Sequence, residues 1–126
     1  EYGDFTLASG KKSRIKINCD ILTEQDWQTL AYLASIQLDP FGKVEGVPTG
    51  GLAFAKALEK YISPGCDTLL IADDVYTTGQ SITNHAAGRP FIGAVAFSRV
   101  ANLPTNIVEV CNVEAAVLSD LLDSPP

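Results

Sequence analysis

Cysteine is scarce in this sequence. Only Cys19, Cys66 and Cys111 occur among the 126 residues. They are odd in number, widely spaced and without a CxxC pair, so the pattern indicates neither a disulfide framework nor a zinc site. We expect reduced, mostly buried thiols in a cytoplasmic protein.

Long hydrophobic runs and an excess of positive charge are also missing. No stretch approaches the roughly 18 uncharged apolar residues that a membrane span needs. Nine Lys and Arg against fifteen Asp and Glu give a net charge of −6, which argues against nucleic acid as a partner. With 46% hydrophobic residues the chain can build a core. We therefore expect one folded domain, residues 1–126, with neither a membrane nor a nucleic-acid partner.

The positive charges that are present are unevenly placed. Four of the nine cations fall within six residues, namely Lys11, Lys12, Arg14 and Lys16. In an acidic protein such a cluster favours a local site for an anion. A solvated strand face explains the cluster equally well on composition alone, and both interpretations stay open at this point.

Hydrophobic patterning predicts alternating strands and helices. Residues 68–72 form a continuous apolar run, as in a strand covered on both faces, whereas residues 14–19 alternate between polar and apolar. The predicted strands are residues 14–19, 43–47, 68–72, 91–97 and 107–113, and the predicted helices are residues 23–38, 52–62, 81–87 and 114–122. This alternation predicts an α/β domain with a mostly parallel central sheet flanked by helices.

Residues 69–81 are the most informative stretch. A buried strand delivers two adjacent carboxylates, Asp73 and Asp74, to the carboxyl edge of the sheet, where ligands bind in open α/β folds. A polar loop at residues 75–80 follows and leads into a helix. Backbone N–H groups and hydroxyls in such a loop suit a phosphate, and Gly79 permits a close backbone approach.

Carboxylates would repel a phosphate, so the two aspartates suit a different part of the ligand. They accept hydrogen bonds from vicinal sugar hydroxyls and can hold Mg²⁺ through water. The stretch therefore predicts a site for a phosphorylated sugar. The alternative is an acidic, Thr-rich surface turn without a ligand.

Residues 71–81, IADDVYTTGQS, resemble the phosphoribosyl pyrophosphate (PRPP) motif of type I phosphoribosyltransferases. The resemblance implies that family's fold, with a small N-terminal hood segment at residues 1–20. It implies that Asp73 and Asp74 are catalytic and bind the ribose hydroxyls. It also implies that the 5-phosphate is held by the loop and the start of the next helix: Thr77, Thr78, Gly79, Gln80 and Ser81.

Two further segments are similar to orotate phosphoribosyltransferases. Residues 3–13, GDFTLASGKKS, resemble the amino-terminal segment of that subfamily, which implies that Lys12 reaches the base and takes part in catalysis. Residues 46–51, GVPTGG, resemble the loop in which Thr49, Gly50 and Gly51 would bind pyrophosphate. Alone, such a turn more often just joins a strand to a helix. Its place between the other two segments favours the pyrophosphate loop.

Arg99 follows the strand predicted near residues 91–98. In orotate phosphoribosyltransferases an Arg in a similar place meets the carboxylate of orotate, and a guanidinium fork suits that bidentate partner. The family usually has Asp before this Arg, whereas this chain has Ser98. A surface cation remains the alternative for Arg99. His85 and Trp27 are both predicted to be structural.

The chain is shorter than typical members of the family. Those enzymes carry extra strands and a mobile, Lys-bearing catalytic loop between the pyrophosphate loop and the PRPP motif. Here Gly51 is followed by one predicted helix, and the only cations between Gly51 and Thr68 are Lys56 and Lys60 on that helix. The resemblance thus supports binding more strongly than catalysis.

Three hypotheses follow. The first is an orotate phosphoribosyltransferase-like enzyme that uses Mg²⁺ and joins orotate to PRPP with release of pyrophosphate. The second is a PRPP- or nucleotide-binding regulatory protein without catalysis. The third retains the chemistry but accepts another base. The family resemblance also implies a homodimer.

Overall fold

The computed structural model describes residues 5–6, 12–13 and 22–112 of the chain. Its elements, in chain order, are β1 Phe5–Thr6, β2 Lys12–Ser13, α1 Glu24–Ser35, β3 Lys43–Gly46, α2 Leu52–Leu58, a 3₁₀ turn at Glu59–Tyr61, β4 Leu69–Tyr76, α3 Gln80–Ala86, β5 Ile92–Ser98 and β6 Ile107–Asn112. The strand predicted at residues 14–19 and the helix predicted at residues 114–122 lie outside the described residues.

Four strands form one parallel sheet in the order β3-β4-β5-β6. Each strand pairs with the next one along the chain, and the connections that carry the chain back include α2 and α3. This arrangement confirms the predicted α/β fold with a parallel sheet. Strands β1 and β2 form a separate antiparallel pair, with Phe5 opposite Ser13.

Helices cover both faces of the sheet. One face packs under α1 and α2, where Trp27, Phe54 and Leu70 belong to a single buried cluster. The other face packs under α3, where Ile71 and Ile82 are buried together. Strand β4 is therefore apolar on both sides, which explains its continuous hydrophobic run.

Local signals explain where α1 begins. The Thr23 side chain accepts a hydrogen bond from the Asp26 backbone N–H, and the Asp26 carboxylate accepts one from the Thr23 backbone N–H. This reciprocal cap satisfies two N–H groups that the helix leaves unpaired. One turn later Trp27 is buried beside Phe54, with ring centroids 5.6 Å apart, so the structural role predicted for Trp27 is confirmed.

Several boundaries differ from the prediction. Helix α1 ends at Ser35 rather than residue 38, and the second helix tightens to a 3₁₀ turn at Glu59. Strand β4 extends to Tyr76, beyond the predicted end at residue 72. The extension has a non-local cause, because β5 offers backbone partners as far as Ser98, which lies opposite Tyr76.

The environment of the cysteines also needs a correction. Cys66 is half-buried and Cys111 is exposed, and neither is in a disulfide. The expectation of mostly buried thiols was therefore wrong for Cys111, which lies on β6 at one edge of the four-stranded sheet. Cys19 lies outside the described residues. Within residues 22–112, no helix is long and apolar enough to cross a membrane.

Candidate functional site

The two aspartates lie where β4 loses one neighbouring strand. Strand β3 stops at Gly46, opposite Ala72, whereas β5 continues alongside β4 to Tyr76. From Asp73 onward, β4 is thus paired with a strand on one side only. The sequence analysis predicted that the two aspartates follow the strand. In the structure both belong to β4, next to the point where β3 ends.

Each aspartate accepts a hydrogen bond from the next backbone N–H. The N–H of Asp74 donates to Oδ1 of Asp73 at 2.8 Å, and the N–H of Val75 donates to Oδ1 of Asp74, also at 2.8 Å. Asp73 is only 6% exposed, whereas Asp74 is half-buried. Burial, together with the adjacent Asp74 carboxyl, raises the pKa of Asp73 to about 7. Two adjacent carboxyl groups, one of them with a raised pKa, are typical of a site that binds hydroxyl groups or cations.

The turn at residues 47–51 occupies the side that β3 leaves open. The Val47 N–H donates to the Ala72 carbonyl at 2.9 Å, and the Gly51 N–H donates to the Val47 carbonyl at 2.8 Å. The peptide bond between Pro48 and Thr49 is cis. These contacts bring the turn against the end of β4.

Gly50 faces the Asp74 carboxylate directly. A Cβ atom at Gly50 would lie 2.2 Å from Oδ2 of Asp74, and one at Gly51 would lie 2.5 Å from the Ala72 carbonyl oxygen. Neither position has room for a side chain. The structure thereby brings together two segments that are far apart in the chain and that were predicted to serve one ligand.

Residues 77–79 form the loop between β4 and α3. The predicted loop, residues 75–80, was too long, because Val75 and Tyr76 belong to β4 and Gln80 begins α3. Gly79 adopts φ +82°, and a Cβ there would lie 2.4 Å from the Tyr76 hydroxyl. Both the dihedral and the contact favour glycine at this position.

The loop wraps around a small polar cavity of about 20 Å³, lined by residues 73 and 75–82. The Thr78 hydroxyl accepts a hydrogen bond from the Gln80 N–H at 3.2 Å. Four polar members of the loop and the helix start are exposed: Thr77, Thr78, Gln80 and Ser81. These residues are therefore accessible from solvent.

Arg99 lies at the same edge of the sheet. It directly follows β5, and its backbone N–H donates to the Tyr76 carbonyl at 2.9 Å. Ser98 is fully buried, and its hydroxyl accepts a hydrogen bond from the Val100 N–H at 3.2 Å. The Asn112 side chain donates to the Val100 carbonyl at 2.9 Å. Residues of β5 and β6 therefore both hold the backbone next to Arg99.

Lys12 belongs to β2 and pairs with Thr6. The structure describes its backbone, and its predicted contact with a base stays a prediction.

The sequence analysis missed an ion-pair cluster centred on Glu45 of β3. Two nitrogens of Arg89 donate to its two carboxylate oxygens at 2.9 and 3.1 Å. Nε2 of His85 lies 2.9 Å from Oε1, and Nζ of Lys43 lies 3.4 Å from Oε2. The hydrogen bonds from Arg89, with smaller contributions from His85 and Lys43, lower the pKa of Glu45 to about 2. No local pattern indicates this cluster, because its members come from β3, α3 and the segment after α3.

The two lysines between the turn and β4 do not line the aspartate site. Lys56 and Lys60 line a groove of about 520 Å³ between α1 and α2, together with Trp27, Ala53 and Ala57. Residues 52–68, all of which the structure describes, contain α2, the 3₁₀ turn and short connections. This segment contains no long loop that could carry a lysine to the aspartates.

No family model matches the chain, and no curated protein matches it.

Proposed function

We propose that this chain binds PRPP and transfers its phosphoribosyl group to a pyrimidine base, orotate first, with release of pyrophosphate. The observation that carries the proposal is the contact of Gly50 with the Asp74 carboxylate. It brings the turn at residues 47–51 against the start of the stretch at residues 73–81. With this function we also propose a type I phosphoribosyltransferase fold, in which residues 1–20 form the hood.

The sugar and the 5-phosphate of PRPP fit two neighbouring parts of the site. Asp73 and Asp74 present carboxylate oxygens that accept hydrogen bonds from the 2- and 3-hydroxyls of ribose. Beyond them, the exposed hydroxyl-bearing loop at residues 77–79 and the start of α3 suit an anion bound at their surface. The residues proposed for the 5-phosphate are Thr77, Thr78, Gly79, Gln80 and Ser81.

The pyrophosphate group fits the turn formed by Thr49, Gly50 and Gly51. Because Gly50 has no side chain, the Asp74 carboxylate packs directly against the turn, and a ligand bound at the turn would lie beside Asp74. The described residues hold no group of three His, Cys, Asp or Glu side chains that would bind a metal by itself. One or two carboxylates beside a diphosphate suit Mg²⁺, which keeps several waters and binds substrate phosphates. Bound there with PRPP, Mg²⁺ would neutralise charge on the departing pyrophosphate.

The reaction forms a bond from a ring nitrogen of the base to C1 of ribose. The bond from C1 to the pyrophosphate oxygen breaks, pyrophosphate leaves with the electron pair, and the base nitrogen loses its proton. Positive charge develops on the sugar as the bond breaks, and the two carboxylates stabilise it at short range. Lys12 and Arg99 are proposed to hold the base, with the Arg99 guanidinium on the orotate carboxylate.

One observation favours a second candidate, a PRPP-binding regulatory protein without turnover. Lys56 and Lys60 line the groove between α1 and α2, so residues 52–68 bring no cation to the proposed pyrophosphate position. A site without that charge and without a closing loop neutralises the leaving group less effectively.

Calorimetric titration with Mg-PRPP, followed by an assay of orotate-dependent pyrophosphate release, tests the proposal. We expect saturable PRPP binding that is lost in the Asp73→Asn/Asp74→Asn double variant, because amides retain the shape but lose the charge-assisted hydrogen bonds. Asp67→Asn, a change at an exposed site before β4, is the matched control and should bind like the wild type. Absence of PRPP binding in the wild type would reject both candidates.

Pyrophosphate release separates the two candidates. The enzyme releases pyrophosphate only when orotate is added, whereas the regulatory protein binds PRPP and releases none. A panel of purine and pyrimidine bases tests the choice of base. Arg99→Ala should weaken the binding of orotate more than the binding of PRPP. An orotate affinity equal to that of the wild type would contradict the role of Arg99.

The homodimer implied by the family resemblance is also a proposal. Sedimentation velocity over a range of protein concentrations tests it, and a single monomeric species throughout would reject it.

A further inference from the structure

The cluster around Glu45 connects the two halves of the proposed site. Glu45 lies on β3 opposite Ile71, on the sheet face that α3 covers. One residue after it β3 ends, and the chain enters the turn at residues 47–51. Of its partners, His85 lies in the last turn of α3 and Arg89 lies three residues beyond the end of that helix. The start of α3 directly follows the loop at residues 77–79. Glu45 thus connects β3, which leads into the turn at residues 47–51, to α3, which follows the loop at residues 77–79.

Arg89 fastens the end of α3 to this carboxylate. Its Nε donates to the Ala86 carbonyl at 2.9 Å, and one Nη donates to the His85 carbonyl at 3.0 Å. These are carbonyls of the last helical turn, which lack partners within the helix. The same guanidinium binds both oxygens of Glu45. Arg89 therefore caps the helix and ties it to β3 at once.

Helix α3 has few other attachments. It contains seven residues, of which Ile82 and Ala86 are buried. A helix this short is marginal without tertiary contacts. The turn at residues 47–51 is better supported, because its backbone bonds to Ala72 and it leads directly into α2.

We propose that Glu45 is a positioning residue for the phosphate loop: through Arg89 and His85 it anchors α3 and thereby fixes residues 77–79 relative to the turn at residues 47–51. The inference deepens the proposed function and depends on it for the identity of the ligand. Glu45 itself does not line the loop cavity. Its low pKa keeps it ionised at neutral pH, which suits a permanent anchor.

The proposal predicts that Glu45→Gln lowers the affinity for ribose 5-phosphate more than the affinity for Mg-pyrophosphate. In Glu45→Gln, α3 loses its charged anchor and the loop at residues 77–79 samples more conformations. If the loop holds its binding geometry about a tenth of the time, the apparent affinity for ribose 5-phosphate falls about tenfold. The affinity for Mg-pyrophosphate should stay within about twofold of the wild type, since the turn at residues 47–51 has its own backbone bonds.

Three variants accompany Glu45→Gln in the calorimetric titrations. Arg89→Gln removes the other half of the anchor and should weaken ribose 5-phosphate to a similar degree. The double variant should lose little more, because both changes remove one interaction. Lys43→Gln is the matched control: it removes an ion pair of the same carboxylate, but Lys43 belongs to β3 itself and does not connect to α3. It should bind like the wild type.

Hydrogen exchange read by mass spectrometry gives a measurement that needs no ligand. Peptides covering residues 77–86 should exchange faster in Glu45→Gln than in the wild type, with residues 69–72 of β4 unchanged. Equal exchange across residues 77–86 would overturn the inference, and so would equal losses of ribose 5-phosphate and pyrophosphate affinity. If the wild type binds neither fragment, the proposed function fails, and the exchange data alone decide whether Glu45 anchors α3.

Discussion

At the scale of single residues, the fit between Gly50 and Asp74 carries the most information. The sequence shows a Pro-Thr-Gly-Gly turn and an Asp-Asp pair, each of which is common in proteins. Their contact involves residues remote in the chain, and local signals do not predict it. The contact also explains why the second half of the turn is glycine, since a Cβ at Gly50 would overlap the carboxylate.

Gly50→Ala should therefore reduce ligand affinity more than it reduces the stability of the fold. The added methyl displaces the Asp74 carboxylate, and we expect Mg-PRPP affinity to fall at least tenfold, roughly the effect of misplacing a binding group by about 1 Å. Calorimetry measures the affinity, and urea unfolding measures the stability.

Gly65→Ala is the matched control for this change. Gly65 has φ +83° and no atoms within 4 Å of an added Cβ, so the substitution strains the backbone by roughly 1 kcal/mol without approaching the site. It should lower stability and leave PRPP affinity unchanged. Equal PRPP affinity in Gly50→Ala and Gly65→Ala would contradict the role of Gly50.

Asp73→Asn should stabilise the protein at alkaline pH. The folded-state pKa of Asp73 is raised from 3.8 to about 7, so the stability associated with this carboxyl is complete below pH 3.8 and declines as the pH rises through about 7. The amide avoids that decline, and its oxygen can still accept the Asp74 N–H. We expect a gain of roughly 2 kcal/mol at pH 8 that shrinks towards pH 4.

Urea unfolding at pH 4, 6 and 8 checks this prediction. Asp67→Asn, at an exposed position, should show no comparable dependence on pH. A gain for Asp73→Asn that is constant over the range would show that ionisation of Asp73 does not limit stability. Higher stability combined with lost PRPP binding is the trade-off typical of residues kept for function.

At the scale of elements, local sequence signals predicted some boundaries and missed others. Helix α1 begins where the Thr23 cap predicts, because both partners of the cap lie within one turn. The end of β4 was missed by four residues, from Ala72 to Tyr76, because it depends on backbone partners in β5. The α3 anchor was missed for the same reason: Glu45 and Arg89 are separated by most of two βα units.

The anchor should also affect acid stability. The folded-state pKa of Glu45 is lowered from 4.5 to about 2, so its stabilising contribution is present above pH 4.5 and is lost as the pH falls through about 2. Glu45→Gln should be less stable than the wild type by about 1 kcal/mol at pH 7, the upper range for partly exposed ion pairs. The difference should narrow between pH 4.5 and 2.

Chemical unfolding at pH 7, 4 and 2.5 measures this difference. The control is Glu59→Gln, a change at an exposed residue of the 3₁₀ turn, which should leave the pH profile unaltered. A difference between Glu45→Gln and the wild type that persists at pH 2.5 would assign the effect to packing instead of charge.

At the scale of the whole molecule, two separate apolar clusters hold the sheet between its helices. The cluster under α1 and α2 includes Phe54, which is fully buried beside Trp27. The sequence analysis predicted both helices and a structural role for Trp27, but it did not predict the contact with Phe54. The sequence could not show that, over the described residues, α3 is the one helix on the second face, where loop residues such as Leu103 pack beside it.

Phe54→Ala should destabilise the whole described sheet. Removing a buried ring leaves a cavity and is expected to lower the free energy of unfolding by about 3–5 kcal/mol, a large part of the roughly 5–15 kcal/mol typical of a domain. Thermal unfolding followed by circular dichroism measures the change. Leu52→Ala, on the same helix but 50% exposed, should shift the midpoint far less, and similar shifts would contradict the packing described for α2.

The early end of β3 has a consequence for how this molecule can vary. If β3 continued beside Asp73, its backbone would occupy the space now taken by the turn at residues 47–51. The sheet would then be more regular, but the edge of β4 at Asp73 would be covered. Lengthening β3 by insertion should thus produce a more stable protein that lacks the proposed sugar-phosphate site.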